Sequence, residues 1–377
     1  MSEENFFDNL KKDVSFSGNR EKEAACLKRY NKRGDGVLDL EEFHMMCLDL
    51  FVEDGKSCAL SETQSRQIFE QLDENQDNYI DKEEFHILWR YWLPMILQAK
   101  AALIAVDVQN DFIDGSLALT DAEAIVPVIN RILEDESMFE QVIYTFDWHP
   151  ENHVSFHKNV CMRELHPTSK ITQKEKACVF DTVVFDGHVP MEQTLWPAHC
   201  VQNTHGAKLH ADLKIVKDHV DIYKGSCDHV DSYSAFFDNQ RLAQTDLATV
   251  LCSKRITDVY VCGLATDVCI RHTAIDAASL GFRPFVVDDA CRGQTKESCD
   301  KARREMEEAG CIMISSTQVK SMVEANTRMP KPALQAAENV ALARQKAKVK
   351  LASINGDHGD KPLSNGFDAA TSNLLDL

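Results

Sequence analysis

The stretch Leu103-Ile104-Ala105-Val106-Asp107-Val108-Gln109-Asn110-Asp111-Phe112 carries an apolar run that ends on a carboxylate. Such a run describes a buried parallel strand with Asp107 at its C-terminal tip, where open α/β sheets bind ligands. Outward from it the same texture recurs. Ala102–Val106, Val142–Phe146, Ile215–Tyr223, Val259–Cys262, Phe285–Val287 and Ile312–Ile314 are short apolar runs, mostly β-branched or aromatic, separated by helix-like segments. The best crossover helices are Asp121–Arg131, Thr266–Leu280 (stopped by Gly281) and Thr295–Ala309 (stopped by Gly310). The alternation predicts an α/β fold, a doubly wound parallel sheet of about six strands. The polar stretch from Asn159 to Glu192 interrupts the pattern and is expected to be a lid or a site wall.

The 377 residues leave room for a second, smaller domain. Residues 1–98 read with helical period, 99–325 carry the α/β pattern, and 326–377, rich in Ala, Lys and Gln and then in Ser, Asn, Asp and Gly, are expected to be a mobile tail. The balance of 41 Lys+Arg against 60 Asp+Glu gives a net charge of −19, which disfavours nucleic acid and anionic membrane surfaces as partners. No apolar run is long enough to span a bilayer, and Met1–Leu10 lacks the layout of a secretory signal, so a cytoplasmic location is expected. The 13 cysteines show no framework spacing and are expected to be reduced. A homo-oligomer is left open.

Two helix-loop-helix units occupy the first domain. Ser61 with Gln64 forms a capping box, and Ile68, Phe69 and Leu72 share one face before a polar gap. In that gap Asp73, Asn75, Asp77, Tyr79 (through its carbonyl), Asp81 and Glu84 stand at the spacing that wraps calcium. Asn78 replaces the usual glycine and enters the left-handed region cheaply, while Ile80 can pair with a neighbouring loop. The earlier loop runs through Asn31, Arg33, Asp35, Gly36, Val37, Leu38, Asp39 and Glu42. Its neutral first position and its arginine predict weak binding or none.

The tips of the α/β strands gather chemistry. Asp147 and His149 close one strand two residues apart and can face the same side, with His153 four residues further on and His199 in Trp196-Pro197-Ala198-His199-Cys200. One carboxylate with two or three imidazoles suggests a divalent transition metal, and the ligand mixture does not choose among zinc, iron and manganese. Cys269 follows a strand through the small-residue turn Gly263-Leu264-Ala265-Thr266, which would put its thiol in a first helical turn, where N–H groups favour thiolate and can bind an oxyanion. Lys224 ends a third strand. Each residue has a blander reading: Asp107 as a turn residue, Cys269 as a small core residue, Lys224 as a solvated lysine, Phe112 and Trp196 as plain core. Together Asp107, Lys224 and Cys269 form a possible base, electrostatic aid and nucleophile.

Five segments in order, Asp107–Phe112, Asp147-Trp148-His149-Pro150, Trp196–Cys200, Tyr223-Lys224-Gly225 and Gly263–Cys269, resemble the motifs of nicotinamidases in the isochorismatase-like cysteine hydrolase superfamily, over about 100–316. With the EF-hand preface, the chain resembles the insect-type animal members. The resemblance implies an isochorismatase-like hydrolase fold after a small all-α EF-hand domain, and hydrolysis of nicotinamide to nicotinate and ammonia in NAD salvage. It also implies catalysis by Asp107, Lys224 and Cys269, an oxyanion hole from the N–H groups of Ala265 and Cys269, and a cis peptide at Leu264–Ala265. Phe112 and Trp196 would flank the substrate ring. Asp147, His149 and His199 would hold the metal, with His153 as a further ligand. The alternatives are a hydrolase of another small amide, and a calcium-binding protein with an inactive hydrolase scaffold.

Overall fold

The computed structural model describes residues 5–355, His188 excepted. The chain divides into two compact units. One comprises 101–254 and 258–319. The other comprises the described residues up to Lys100, Arg255–Thr257, and the described residues from Lys320 onward.

The first of these holds six parallel strands: β1 (Ala101–Val106), β2 (Gln141–Asp147), β3 (His219–Lys224), β4 (Asp258–Leu264), β5 (Arg283–Arg292) and β6 (Ile312–Ile314). Their order across the sheet is β6-β5-β4-β1-β2-β3. Chain order reverses between β1 and β4, so a cleft opens at the C-terminal tips of those two strands. β1, β2 and β4 are buried along their whole length, as a sheet covered on both faces requires. Register pairs Ala105 with Cys262 and Val106 with Gly263, which brings the tips level. Gly263 has φ +120°, and a Cβ there would collide with the Val106 carbonyl, so only glycine allows this approach.

Three segments differ from expectation for local reasons. β3 begins at His219, not Ile215, because the backbone before it is tied to a side chain: the Tyr144 hydroxyl donates to the Lys214 carbonyl at 2.7 Å and accepts from the Val216 N–H at 3.2 Å. The helix expected over 121–131 splits into a tight turn, Ala122–Ile125, and an α-helix, Val126–Ile132, with proline in its first turn. The 159–192 stretch is less irregular than its composition suggests. It contributes Thr182–Phe185 to an antiparallel hairpin with Met191–Thr194, and Val160, Val183 and Phe185 bury in a small core with Val154 and Leu195.

In the helical unit, Arg20–Tyr30 and Leu40–Leu50 flank the first loop, and Glu62–Leu72 and Lys82–Ile87 flank the second. Leu38 and Ile80 exchange backbone hydrogen bonds of 3.0 and 2.8 Å, joining the loops by an antiparallel bridge. The mobile-tail expectation for 326–377 is corrected over its described part. Pro330–Asn355 is a helix, and its Ala333, Ala336, Ala337 and Val340 bury in the same core as Phe43, Phe69 and Trp92. Arg328 is also fixed, donating from Nε to the Leu50 carbonyl at 2.7 Å and pairing with Asp8 at 2.8 Å. Alanines at helical spacing bury little area each, so composition hides a packing face that geometry makes useful. The rest of that segment lies outside the described residues.

Candidate active site

Three strand tips deliver the charged groups. Lys224 Nζ, wholly buried, lies 2.9 Å from Asp107 Oδ2 and 3.4 Å from Cys269 Sγ, and also donates to Asp147 Oδ1 and, at 3.1 Å, to the Ser232 carbonyl. Carboxylate oxygens of Asp107 and Asp147 and the Cys269 sulfur all lie within 4.8 Å of one another. Asp107 has φ +49°, a conformation that turns the chain off the end of β1. The peptide between Leu264 and Ala265 is cis. Thr266–Ile270 forms a wide helical turn ahead of the α-helix Arg271–Ser279.

Burial dominates the electrostatics here. It pushes the Asp107 carboxyl up, with the Asp147 charge adding to the effect and Lys224 opposing it. Burial alone would lower the pKa of Lys224, but Asp107 and Asp147 outweigh this and hold the ammonium well above its usual range. Cys269 departs from the sequence expectation. Burial, with Asp107 and Asp147 close by, raises its thiol well above the ordinary value despite the Lys224 cation. Cys269 therefore rests as a thiol beside a carboxylate of raised basicity, a pair suited to proton transfer.

Beside this cluster, Asp147 Oδ2 lies 3.5 Å from His149 Nε2 and 3.6 Å from His199 Nε2. Each ring is anchored through Nδ1, His149 to the Gly225 carbonyl at 2.9 Å and His199 to the Pro197 carbonyl at 2.8 Å. A carbonyl only accepts, so both rings carry a proton on Nδ1 and aim Nε2 at the carboxylate. Burial disfavours charge on His149, yet Asp147 holds its pKa above the ordinary histidine value. That demand for positive charge between one carboxylate and two imidazoles fits a divalent metal. Gly225 (φ +65°) is required as well, because a Cβ there would run into the His149 ring. His153 is buried and groups with His149 and Asp231, not with Asp147 and His199. Its Nδ1 meets Ser155 Oγ at 2.7 Å, and burial beside His149 pushes the imidazole down to about 3.

A cavity open to solvent reaches from Asp147, His149 and His199 to Cys269, with Phe112, Trp196, Tyr233 and Ala265 in its wall. Phe180, from the 159–192 segment, packs edge-on against Trp196 at 5.9 Å. Gln193, just beyond that segment, donates to Asp231 Oδ2 at 3.1 Å. Sequence reasoning passed over several supporting residues. Thr145 Oγ1 donates to Asp107 Oδ1 at 2.5 Å. The buried Gln109 donates to the Asp147 carbonyl at 2.8 Å and accepts from the Asp147 N–H at 2.9 Å. Asp111 accepts from the Cys200 N–H at 2.7 Å and so anchors the chain just after His199. Thr145 carried a usable signal: it stands two residues before Asp147, on the same strand face.

In the helical unit the two loops differ. In the second, Asp73 accepts from the Asn78 N–H at 3.0 Å, Asp77 from Tyr79 N–H at 2.9 Å, and Asn75 from Asp77 N–H at 2.9 Å, which turns these side chains inward around the loop. Asn78 has φ +68°, as expected of the residue replacing glycine. Asp81 and Glu84 form a capping box, with Glu84 Oε1 accepting from the Glu74 N–H at 2.8 Å. In the first loop the Arg33 guanidinium reaches Asp35, Asp39 and Glu42 at 3.2, 3.1 and 3.4 Å, filling the carboxylate cluster with a cation of its own.

Comparison with known proteins agrees with this architecture. An EF-hand family model matches residues 66–89. The nicotinamidase of Acinetobacter baylyi is 38% identical over 221 residues, covering 58% of this chain and 94% of the relative, and that of Escherichia coli is 40% identical, covering 55% and 89%. A solved nicotinamidase/pyrazinamidase from Acinetobacter baumannii is 40% identical, with a TM-score of 0.51 over 58% of this chain and 98% of its own. The isochorismatase domain model matches residues 101–318, the span that carries the six-stranded sheet and the cavity, and the chain belongs to that family.

Proposed function

We propose that the chain hydrolyses nicotinamide to nicotinate and ammonia through a thioester on Cys269. The observation that carries this reading is the meeting of Asp107 and Lys224 with Cys269, whose thiol shares one cavity with the Asp147–His149–His199 set. The likeness to bacterial nicotinamidases supports the choice of substrate.

Cys269 Sγ attacks the carboxamide carbon as Asp107 takes the thiol proton. The N–H groups of Ala265 and Cys269 receive the developing oxyanion. Asp107 returns the proton to the amide nitrogen, without which it leaves poorly, and ammonia departs. Asp107 then takes a proton from water as the water oxygen adds to the thioester carbonyl. Cleavage of the C–S bond releases nicotinate, and the sulfur recovers its proton. Lys224 remains an ammonium throughout and balances the charge that moves between sulfur and carboxylate. Phe112 and Trp196 flank the pyridine ring. Asp147, His149 and His199 would hold a divalent metal, zinc in the first instance, with His153 behind them. When bound, the metal supplies a Lewis-acid acceptor for the ring nitrogen and so orients the substrate.

In this reading nicotinate feeds NAD salvage in the cytoplasm, and the Asp73–Glu84 loop takes calcium. Ammonia release from nicotinamide by the purified protein, against Cys269→Ala, is the test. Turnover by the native chain and none by the variant is expected, and an inert native chain overturns the reading.

A further inference from the structure

The helix Pro330–Asn355 packs on the helical unit through a regular stripe. Ala333, Ala336, Val340, Ala343 and Ala347 are buried and recur every three or four residues. These five side chains are no larger than valine, which lets the helix backbone come close to its neighbours. Polar contacts fix both halves. Trp92 Nε1 donates to the Ala333 carbonyl at 2.8 Å near the start, and Arg344 Nη1 donates to the Leu72 carbonyl at 3.2 Å further along. The arrangement is that of an amphipathic helix laid on an EF-hand pair, a recognition mode used between separate chains.

What sets this contact apart is where it ends. Arg344 and Lys348 both pair with the Glu74 carboxylate, the latter at 2.7 Å. Glu74 is the second residue of the Asp73–Glu84 loop, and Leu72 immediately precedes that loop. The Glu74 N–H in turn donates to Glu84 Oε1 at 2.8 Å, so the same residue links the helix to the carboxylate that closes the loop.

We propose that this helix is the built-in target of the EF-hand pair, and that its docking and calcium binding at Asp73–Glu84 strengthen each other. The proposal rests on the calcium reading above. Two effects compete for the sign of the coupling. The cations of Arg344 and Lys348 repel a calcium ion, but both already face Glu74, and the Lys348 side chain is 57% exposed, where water and salt screen it. Against this, docking holds the loop entry from Leu72 to Glu74 in place, and an undocked chain must order that backbone when the ion binds. Pre-organisation prevails, and linkage makes the effect mutual.

Calcium titration calorimetry on the full chain tests this with native protein, Ala336→Arg, which overfills the stripe, and the milder pair Arg344→Gln with Lys348→Gln. We expect Ala336→Arg to weaken calcium binding by about fivefold or more, and the charge pair to act in the same direction but less strongly. Hydrogen exchange of residues 333–347 should slow on adding calcium to native protein and should not respond in Glu84→Gln. Equal calcium affinity in native chain and an Ala336→Arg chain whose helix exchanges freely overturns the proposal. So does native exchange at 333–347 that ignores calcium, a result that decides even if Ala336→Arg does not fold. Native protein that takes up no calcium removes the calcium reading and the linkage together, whereas normal calcium uptake that is blind to the helix removes the linkage alone.

Discussion

Lys224 and Arg33 solve the same electrostatic problem in opposite surroundings. Each is a single cation facing a cluster of carboxylates, Asp107 and Asp147 in one case, Asp35, Asp39 and Glu42 in the other. The Lys224 side chain is wholly buried, whereas that of Arg33 is 41% exposed. Water makes the difference. Without it, an unpaired charge has no other source of solvation, so Lys224 is a fixture on which both carboxylates depend. With it, each group can be hydrated separately, and Arg33 is a plug that another cation could replace. The Asp73–Glu84 loop completes the series, with acidic side chains turned inward by backbone N–H groups and not gathered around an arginine.

The comparison breaks first at Lys224. Lys224→Met should leave two buried carboxylates facing each other, lower ammonia release by on the order of a thousandfold or more, and cost about 3–5 kcal/mol in urea unfolding. A stable, active variant would end the argument from burial. Next comes Gly225→Ala, which displaces the His149 ring: metal affinity, read by competition with a chelator, should fall by about 10–100-fold. Glu84→Gln removes one carboxylate from the second loop and should weaken calcium binding by about tenfold or more in calorimetry. The pH profile of kcat/KM offers a subtler check. Asp107 must be ionised to accept the thiol proton, and burial raises its pKa, so activity should fall off on the acid side at a pH above the ordinary carboxylate value of about 4. A limb at or below that value would remove Asp107 as the base. The smallest effect is expected at Arg33→Asp, which should leave the melting temperature unchanged within error yet add a second, weaker calcium event, converting the plug into a ligand.

Much of the sheet was legible because its strands are buried on both faces. Runs such as Leu103–Val106 admit few other readings, and the residues that end them mark the cleft. The Asp107, Lys224 and Cys269 grouping followed from strand tips alone, since parallel strands bring their C-terminal ends to one edge. The protonation of Cys269 did not follow. A helix end favours thiolate, but the opposing carboxylates come from β1 and β2, and their proximity is a product of strand order. Thr145 and Gln109 were missed because their roles depend on partners across the sheet. The hairpin in 159–192 and the helix at 330–355 were obscured by composition: polar residues face outward on the first, and alanine gives the second a weakly hydrophobic stripe.

The split origin of the helical unit has a practical corollary. Its backbone departs at Ala101 and comes home at Lys320, so described residues from both sides of the hydrolase span share one folded body. A premature stop just past the hydrolase span would therefore injure a module far upstream of it, uncovering Trp92 and its apolar surroundings.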